Sequence, residues 1–374
     1  MLHSLEIEGF RCFNHFAMPE ITRVNLLVGR NNCGKSALLE AVELIASRGQ
    51  EVRRLWRSLS ERGEVFPEEE SRARYGPEYD ISHLFTGHEV GVGSAFRLFA
   101  SVTEGQEHLR CDVRERGAEP SQQEVQPALF ESDRQGELGF PGGRLALSIS
   151  SEPPESQSIV PLTSRFGLPY DWMRRGLRAP ILEERALTTF ITTESLREQQ
   201  VEVFWKDIAL TRGEQLAIEA LRLLEPSIER IAYVGGTRSF RSTGRGGIAV
   251  KCRDSGRRIP IGSMGDGLWR MLGLALALTR SEGGVVLIDE IDTGLHYSVM
   301  RDMWEMVMAT AQRLNLQVFA TTHSSDCISS LAFACKGAAP RSAAIHRIDW
   351  RNEGSVVLSE REMLVAAERG IEVR

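Results

Sequence analysis

Residues 29–36 read Gly-Arg-Asn-Asn-Cys-Gly-Lys-Ser, and this stretch decides the fold. An apolar segment at 24–28 precedes it, and from Ala37 to about Ser47 apolar residues recur at helical spacing. Two glycines followed by a lysine and a hydroxyl residue, placed between a strand and a helix, form the pattern of a phosphate-binding loop. We therefore predict a strand, a phosphate-binding loop and a helix over the first 48 residues.

Each part of this loop has an expected role in holding ATP and Mg²⁺. The two glycines let the backbone wrap tightly, so that its N–H groups point at phosphate oxygens. The positive end of the following helix adds to the attraction. The lysine is expected to reach the β- and γ-phosphates, and the serine hydroxyl to hold Mg²⁺. The predicted nucleotide-binding residues are Gly29, Arg30, Asn31, Asn32, Cys33, Gly34, Lys35, Ser36 and Ala37.

The composition narrows the class of protein. A hydrophobic fraction of 42% and a charged fraction of 26% over 374 residues are typical of a globular protein with a large core. No apolar run approaches the roughly 20 residues that span a bilayer, and the first residues lack a signal-peptide pattern. Six cysteines without C-x-x-C spacing argue against a zinc site and fit a reducing cytoplasm. A net charge of −6 excludes a globally basic nucleic-acid binder.

The chain divides into three segments. Residues 1–48 and 226–374 show strand and helix patterns and contain the motifs, so we assign them to one core. Residues 49–225 are predicted to be an insertion of strands and a helical lobe within the same head. Its first part, residues 48–78, is polar and charged and is predicted to be a solvated helix and loop.

A second candidate half-site lies at residues 285–290, Val-Val-Leu-Ile-Asp-Glu. Four consecutive apolar residues are typical of a parallel strand that is covered on both faces. Ligands bind at the carboxyl ends of such strands, where Asp289 and Glu290 lie. We expect Asp289 to hold Mg²⁺ and Glu290 to orient and polarise the attacking water.

Two further stretches have a functional and an ordinary interpretation. His323 follows an apolar strand at 316–321 and is expected to sense the γ-phosphate, although a histidine at a strand end is often only a hydrogen-bonded surface residue. The small residues of 261–267 precede an apolar helix that begins near residue 268, so Ser263, Gly265 and Gly267 can form a second anion site. Alone, the same stretch would be an ordinary helix cap and turn.

Taken together and in this order, these pieces resemble the ABC-type ATPases. The resemblance is strongest to the branch of the RecF, SMC-head and OLD-family proteins, as an AAA-family ATP-binding protein without a Toprim domain. No acidic cluster of the Toprim kind follows, so a built-in nuclease is not expected. The matching motifs are Walker A at 29–36, the signature at 263–267, Walker B at 285–290, the D-loop at 292–296 and the switch histidine at 322–324.

The resemblance implies a fold and a mechanism. The fold is α/β: a P-loop NTPase with an ABC-type ATPase core, whose mixed central sheet is flanked by helices, plus antiparallel strands and a helical or irregular inserted lobe. In the family, two heads clasp two ATP molecules and hydrolyse them. One copy would supply Lys35, Glu290 and His323, and the other would supply the signature residues. Arg11, after the first strand, inherits a nucleotide contact from the family.

The resemblance also implies a biological role. We expect an ATPase that dimerises around ATP and controls a nucleic-acid transaction in DNA repair or anti-phage defence, with a separately encoded nuclease or effector. Contact with DNA or RNA would come from arginine clusters, since arginine suits phosphate. The alternative is a protein-partner switch with no nucleic-acid binding; a membrane transporter subunit is disfavoured by the form of the signature. The clusters are Arg53, Arg54 and Arg57; Arg174, Arg175 and Arg178; and Arg238, Arg241 and Arg245.

Overall fold

A computed structural model gives the architecture of the chain. It describes residues 1–67, 77–115, 144–152, 156–170, 188–235, 247–253, 256–336, 342–349 and 351–373. Two of the predicted arginine clusters, at 174–178 and 238–245, lie outside these residues. No helix in the described part of the chain is long and apolar enough to cross a membrane.

The described elements are seventeen strands and eight helices. The strands are β1 Leu2–Phe10, β2 Phe13–Met18, β3 Val24–Val28, β4 Glu78–Asp80, β5 Ala95–Val102, β6 Gly105–Glu115, β7 Leu145–Glu152, β8 Ser156–Leu162, β9 Gly167–Pro169, β10 Thr188–Ile191, β11 Ile228–Tyr233, β12 Ile248–Cys252, β13 Ile259–Pro260, β14 Val285–Ile288, β15 Gln317–Thr321, β16 Ala343–Arg347 and β17 Val356–Leu358. The helices are α1 Lys35–Ala46, α2 Glu51–Glu61, α3 Glu198–Ile208, α4 Arg212–Arg222, α5 Asp266–Arg280, α6 Tyr297–Arg313, α7 Ser325–Ala334 and α8 Glu360–Arg369.

The central sheet has the strand order β10-β14-β15-β3-β16-β17. Its strands are parallel except β17, which pairs antiparallel with β16. Successive residues of β3 point to opposite sides: Leu26 and Val28 join one core, and Leu27 joins the other. Because both faces are covered, β3 and β14 are apolar throughout and do not alternate with polar residues. The prediction of a parallel strand ending before Asp289 is confirmed.

An antiparallel sheet covers one face of this central sheet, with α1 between the two. Its order is β2-β1-β5-β6-β7-β8. Leu38 and Val42 of α1 are fully buried in the core that this sheet encloses. The mixed sheet with added antiparallel strands that the sequence predicted is therefore present.

Helices cover the opposite face of the central sheet. The most enclosed is α5, whose residues from Leu268 to Leu278 are all buried. It packs against α3 and α4, and α6 and α7 complete the layer. A small sheet, β11-β12-β13, borders the start of α5.

The segment 49–225 contributes to both sheets. Strand β10 forms the edge of the central sheet beside β14, and β5 continues the antiparallel sheet from β1. Helix α2 is not the solvated helix predicted for this stretch, because Leu55 and Leu59 are buried against α1. Its arginines mask an amphipathic pattern, since long charged side chains can cover apolar surface while their heads remain polar.

Candidate nucleotide site

The loop between β3 and α1 has a backbone that only glycine tolerates at two positions. Gly29 has φ of 147° and Gly34 has φ of 99°, both in the region that disfavours side chains. A Cβ on Gly29 would lie 2.5 Å from the carbonyl oxygen of Ile348. A Cβ on Gly34 would lie 2.5 Å from Cζ of Phe13 and 2.9 Å from Sγ of Cys12. The two glycines thus give the loop its curvature and let it pack closely against its neighbours.

Lys35 places its ammonium inside this loop. The side chain is buried, and Nζ donates hydrogen bonds to the carbonyl oxygens of Gly29, at 3.0 Å, and Arg30, at 2.9 Å. Nζ also lies 3.6 Å from Sγ of Cys33. Helix α1 begins at Lys35 without a side-chain cap, so its first N–H groups face the loop. This arrangement concentrates positive charge where phosphates are expected to bind.

Ser36 and Asp289 meet at the carboxyl edge of the central sheet. The Ser36 hydroxyl donates to Oδ2 of Asp289 at 3.4 Å. The hydroxyl of Thr321, at the end of β15, donates to Oδ1 of Asp289 at 2.6 Å and accepts a hydrogen bond from the backbone N–H of Glu290 at 2.8 Å. Thr321 was not predicted from the sequence. The local pattern that could have indicated it is a hydroxyl residue two positions before the predicted switch histidine.

Glu290 adopts a backbone conformation that is unusual for its residue type. Its φ is 48°, in the left-handed region, and such strain concentrates at functional sites. The side chain is half-buried, and its Oε2 accepts a hydrogen bond from the Thr293 hydroxyl at 3.1 Å. Strand β14 ends at Ile288, and this left-handed turn follows it, with Glu290 directly after Asp289.

A buried arginine supports this turn from α5. Arg270 is 2% exposed, and Nη2 donates to the carbonyl oxygens of Asp289 and Glu290, both at 2.7 Å. Nη1 donates to the carbonyl oxygen of Thr192 at 2.6 Å. Burial lowers the pKa of Arg270 to about 10, so the guanidinium stays charged at neutral pH. Sequence reasoning missed Arg270, which stands out only as a charged residue within an otherwise apolar helix.

The signature residues form an exposed loop before α5. Ser263 and Gly265 are exposed, Gly265 has φ of 98°, and α5 has no side-chain cap at its N-terminus. This loop packs on the D-loop: a Cβ on Gly267 would lie 3.0 Å from the carbonyl oxygen of Gly294. The structure therefore joins the predicted signature loop and the predicted D-loop in one surface.

The predicted switch histidine follows β15 on the same edge of the sheet. His323 is partly buried and comes two residues after Thr321. Its neighbour Thr322 donates from its hydroxyl to Oδ1 of Asp292 at 2.6 Å, which links this segment to the D-loop. Walker A, Walker B and the switch segment thus adjoin one another at the carboxyl ends of β3, β14 and β15.

The structure places Arg11 in a buried ion cluster. Its side chain is 6% exposed and forms ion pairs with Glu40 and with Glu64. Its donors are engaged by protein groups, so the family-derived role in nucleotide contact gains no support from this geometry. Arg11 instead connects the first β-turn to α1 and to the segment after α2.

The arginine cluster at 53–57 is also largely internal. Arg54 and Arg57 both pair with Glu43 of α1, whose side chain is 1% exposed. Arg57 also lies over the ring of Phe190, 4.3 Å from its centroid. Burial raises the pKa of Glu43, and the two arginines oppose that rise. The predicted contact of Arg54 and Arg57 with nucleic acid therefore gains no support from the structure, because both pair with a buried carboxylate.

The residues present fit a Mg²⁺–triphosphate. The loop curves tightly at two glycines that leave no room for a Cβ, and Lys35 supplies a cation within it. Ser36 and Asp289 offer neighbouring oxygens of the kind that Mg²⁺ prefers. The glycine loop, the flanking strand and helix, and the carboxylates on the neighbouring strand define an ABC-type P-loop ATPase fold.

Comparison with known proteins agrees with this class. The chain belongs to the family described as "AAA domain, putative AbiEii toxin, Type IV TA system", whose model matches residues 24–328. It is 21% identical to an "ATP/GTP phosphatase" of Helicobacter pylori over 350 residues, which cover 88% of this chain and 87% of that protein.

Solved structures of SMC head domains are similar over almost the whole chain. An SMC head bound to the C-winged helix domain of ScpA is 13% identical, with a TM-score of 0.49 and coverage of 96% of this chain and 97% of that one. An SMC head with an extended coiled coil, bound to the C-terminal domain of ScpA from Pyrococcus furiosus, is 11% identical, with a TM-score of 0.48 and coverage of 99% of both chains.

Proposed function

We propose that this chain binds ATP with Mg²⁺ and hydrolyses it. The observation that carries the proposal is the junction of Ser36, Asp289 and Thr321 beside the Lys35 loop. Membership of an AAA-domain family supports it, as does the name of the Helicobacter pylori relative. That name also makes GTP a substrate to be tested beside ATP.

We assign phosphate binding, metal binding and activation of water to different residues of the site. Lys35 and the loop N–H groups bind the phosphates, while Ser36 and Asp289 would hold Mg²⁺, which supplies charge neutralisation at the phosphates. Glu290 orients the attacking water and accepts its proton. His323 lies at the end of β15, where a γ-phosphate contact is expected.

The second part of the proposal is that two copies of the chain close around the nucleotide. The support is the exposed loop of Ser263 and Gly265, which lies directly before the start of α5, where no side chain caps the helix. Preorganised donors, such as the N–H groups at a helix start, stabilise the charge that develops during phosphoryl transfer. A second copy would bring them to the γ-phosphate, so hydrolysis would require the dimer.

The biological role we propose is control of a nucleic-acid transaction, in DNA repair or defence against phage, through a separately encoded nuclease or effector. The support is the resemblance to the RecF, SMC-head and OLD-family branch; the finer placement within that branch stays a prediction. The ion pairing of Arg54 and Arg57 favours the alternative, a switch that acts on a protein partner without binding nucleic acid.

Steady-state hydrolysis tests the proposed activity and the proposed biological role. We expect Mg²⁺-dependent turnover of ATP that is abolished in Lys35→Ala; turnover that persists in this variant would contradict the site. Stimulation by DNA, with a steep dependence on salt, would support the nucleic-acid role. Turnover that DNA does not change but a co-purifying protein does would support the partner switch.

A further inference from the structure

Helix α1 carries two carboxylates on the face that also carries Ser36. Ser36, Glu40 and Glu43 are separated by four and three residues, so they lie along one side of the helix. Ser36 contacts Asp289, and one helical turn further on Glu40 is buried and pairs with two arginines. Two guanidinium groups, the buried Arg11 and the more exposed Arg62, therefore pair with a carboxylate one turn from Ser36.

The first arginine of this cluster has no donor to spare. Nε of Arg11 pairs with Oε2 of Glu40, Nη1 donates to Oε1 of Glu64 at 2.8 Å, and Nη2 donates to Oγ of Ser58 at 2.6 Å. Its side chain is almost fully enclosed. Arg11 therefore holds the segment after α2 against α1 and is not available to a ligand.

The second arginine is placed differently. Arg62 directly follows α2, its side chain is 36% exposed, and its Nε donates to Oε1 of Glu40 at 2.7 Å. Among the residues that the structure describes, this is its only hydrogen bond from the side chain, so both Nη groups remain for a ligand. Glu40 therefore fixes the guanidinium by one edge and leaves the other edge open.

The charges around Arg62 are consistent with this placement. Burial alone would lower the pKa of Arg62, but the carboxylates of Glu40, Glu64 and Asp289 outweigh it and raise the pKa. Burial raises the pKa of Cys12, and the positive charge of Arg62 opposes that rise. The geometric link is Glu40: it bonds Arg62 and lies one helical turn from Ser36, which contacts Asp289.

We propose that Arg62 binds the γ-phosphate end of the triphosphate and that Glu40 is its positioning residue. The inference rests on the proposed function and deepens it. A guanidinium with two parallel N–H groups free suits phosphate oxygens, and a contact limited to the γ-phosphate distinguishes ATP from ADP. Arg62 thus gives this chain selectivity for the unhydrolysed nucleotide.

Binding measurements, without turnover, test this inference. Titration calorimetry with Mg²⁺ compares the β,γ-imido analogue of ATP with ADP. We expect Arg62→Ala to lower the affinity for the analogue by about 10- to 100-fold, as for one charge-assisted contact, and the affinity for ADP by less than about twofold. Arg62→Lys should recover part of the loss. Arg53→Ala, in the preceding helix α2, is the matched control and should bind both nucleotides as the unaltered protein does.

Three outcomes separate the inference from the proposed function. An unchanged ratio of analogue to ADP affinity in Arg62→Ala would overturn the inference. Equal weakening of both nucleotides, with a lower unfolding temperature, would make Arg62 a structural residue and would also overturn it. If Lys35→Ala still binds both nucleotides normally, the proposed nucleotide site itself is wrong.

Discussion

Nη2 of Arg270 lies 2.7 Å from the carbonyl oxygen of Glu290, so a buried cation in α5 supports the backbone of the proposed general base. The same nitrogen holds the carbonyl oxygen of Asp289. Helix α5 begins directly after Gly265 of the exposed signature loop. Helix α5 therefore links the loop proposed to contact a second copy with the turn that carries the proposed general base.

Replacing Arg270 by methionine should slow hydrolysis more than it weakens binding. The change leaves carbonyl oxygens without a donor and releases the strained turn at Glu290, so we expect kcat to fall at least about 10-fold and stability to fall by about 3 kcal/mol. The affinity for the ATP analogue should stay within about threefold. Arg301→Ala, which removes an exposed i,i+4 ion pair, is the control and should change stability by less than about 1 kcal/mol. Wild-type kcat in a folded Arg270→Met protein would contradict this role.

Adding a methyl group at Gly34 should abolish nucleotide binding. A Cβ there meets Phe13 at 2.5 Å on a backbone with φ of 99°. Gly93 provides a matched control, because its φ of 94° is similar but no atom lies within 4 Å of an added Cβ. Both alanine variants carry the strain of positive φ, about 1 kcal/mol, and only Gly34→Ala adds the clash, typically about 1–3 kcal/mol. Thermal unfolding and analogue binding check this, and equal effects of the two variants would contradict it.

Thr321→Val should impair metal-dependent steps while preserving the fold. The change removes the hydroxyl that bonds Asp289 and accepts from the N–H of Glu290. We expect turnover to fall about 10-fold, as for loss of one good hydrogen bond in the transition state, and the Mg²⁺ concentration needed for half-maximal rate to rise. Thr279→Val removes a hydroxyl that bonds only carbonyl oxygens within α5, and its kinetics should be normal. An unchanged Mg²⁺ dependence in Thr321→Val would show that the hydroxyl does not support the metal ligand.

Stability should fall in mild acid because of His346. Burial lowers its pKa to about 4, and Nε2 lies 3.2 Å from Oδ1 of Asn25. In the unfolded chain the imidazole of this residue takes up a proton near pH 6.5, whereas in the folded chain it does so only near pH 4. The free energy of unfolding is therefore unaffected above pH 6.5 and falls as the pH is lowered from 6.5 toward 4. The loss reaches about 3 kcal/mol across this window.

The variant His346→Gln isolates that contribution. Glutamine retains polar atoms but does not titrate. The free energy of unfolding of the variant, relative to that of the unaltered protein, should therefore rise by about 1.4 kcal/mol as the pH is lowered from 6 to 5. Urea unfolding at several pH values measures the difference. A difference that stays constant from pH 7 to pH 5 would contradict the assigned pKa.

The sequence predicted the strands that carry the site because their burial is complete. Residues 24–28 and 285–288 are apolar throughout, and the structure shows both as interior strands of one parallel sheet. The strand at 188–191, Thr-Thr-Phe-Ile, was missed because it is short and its pairing with β14 is a long-range contact. A pattern of apolar residues does not encode such a partner.

The polar residues of the site were only partly predictable. Lys35, Ser36 and Asp289 follow from motifs in which neighbouring residues set the geometry. Arg270 and Thr321 act through backbone groups of a distant segment, which leaves no local spacing to detect. For Arg11 the resemblance implied a ligand contact, whereas in the structure buried carboxylates at 40 and 64 engage its donors.

The most direct test of the central claim is the mass of the Glu290→Gln protein in solution with and without Mg²⁺ and ATP, measured by light scattering. We predict one chain without nucleotide and two chains with it, because ATP would be held between two copies and not hydrolysed. In the same background Ser263→Arg should bind ATP and remain a single chain. Two results together would contradict the account: a single chain for Glu290→Gln at saturating ATP, and normal hydrolysis by the variant that carries Ser263→Arg alone.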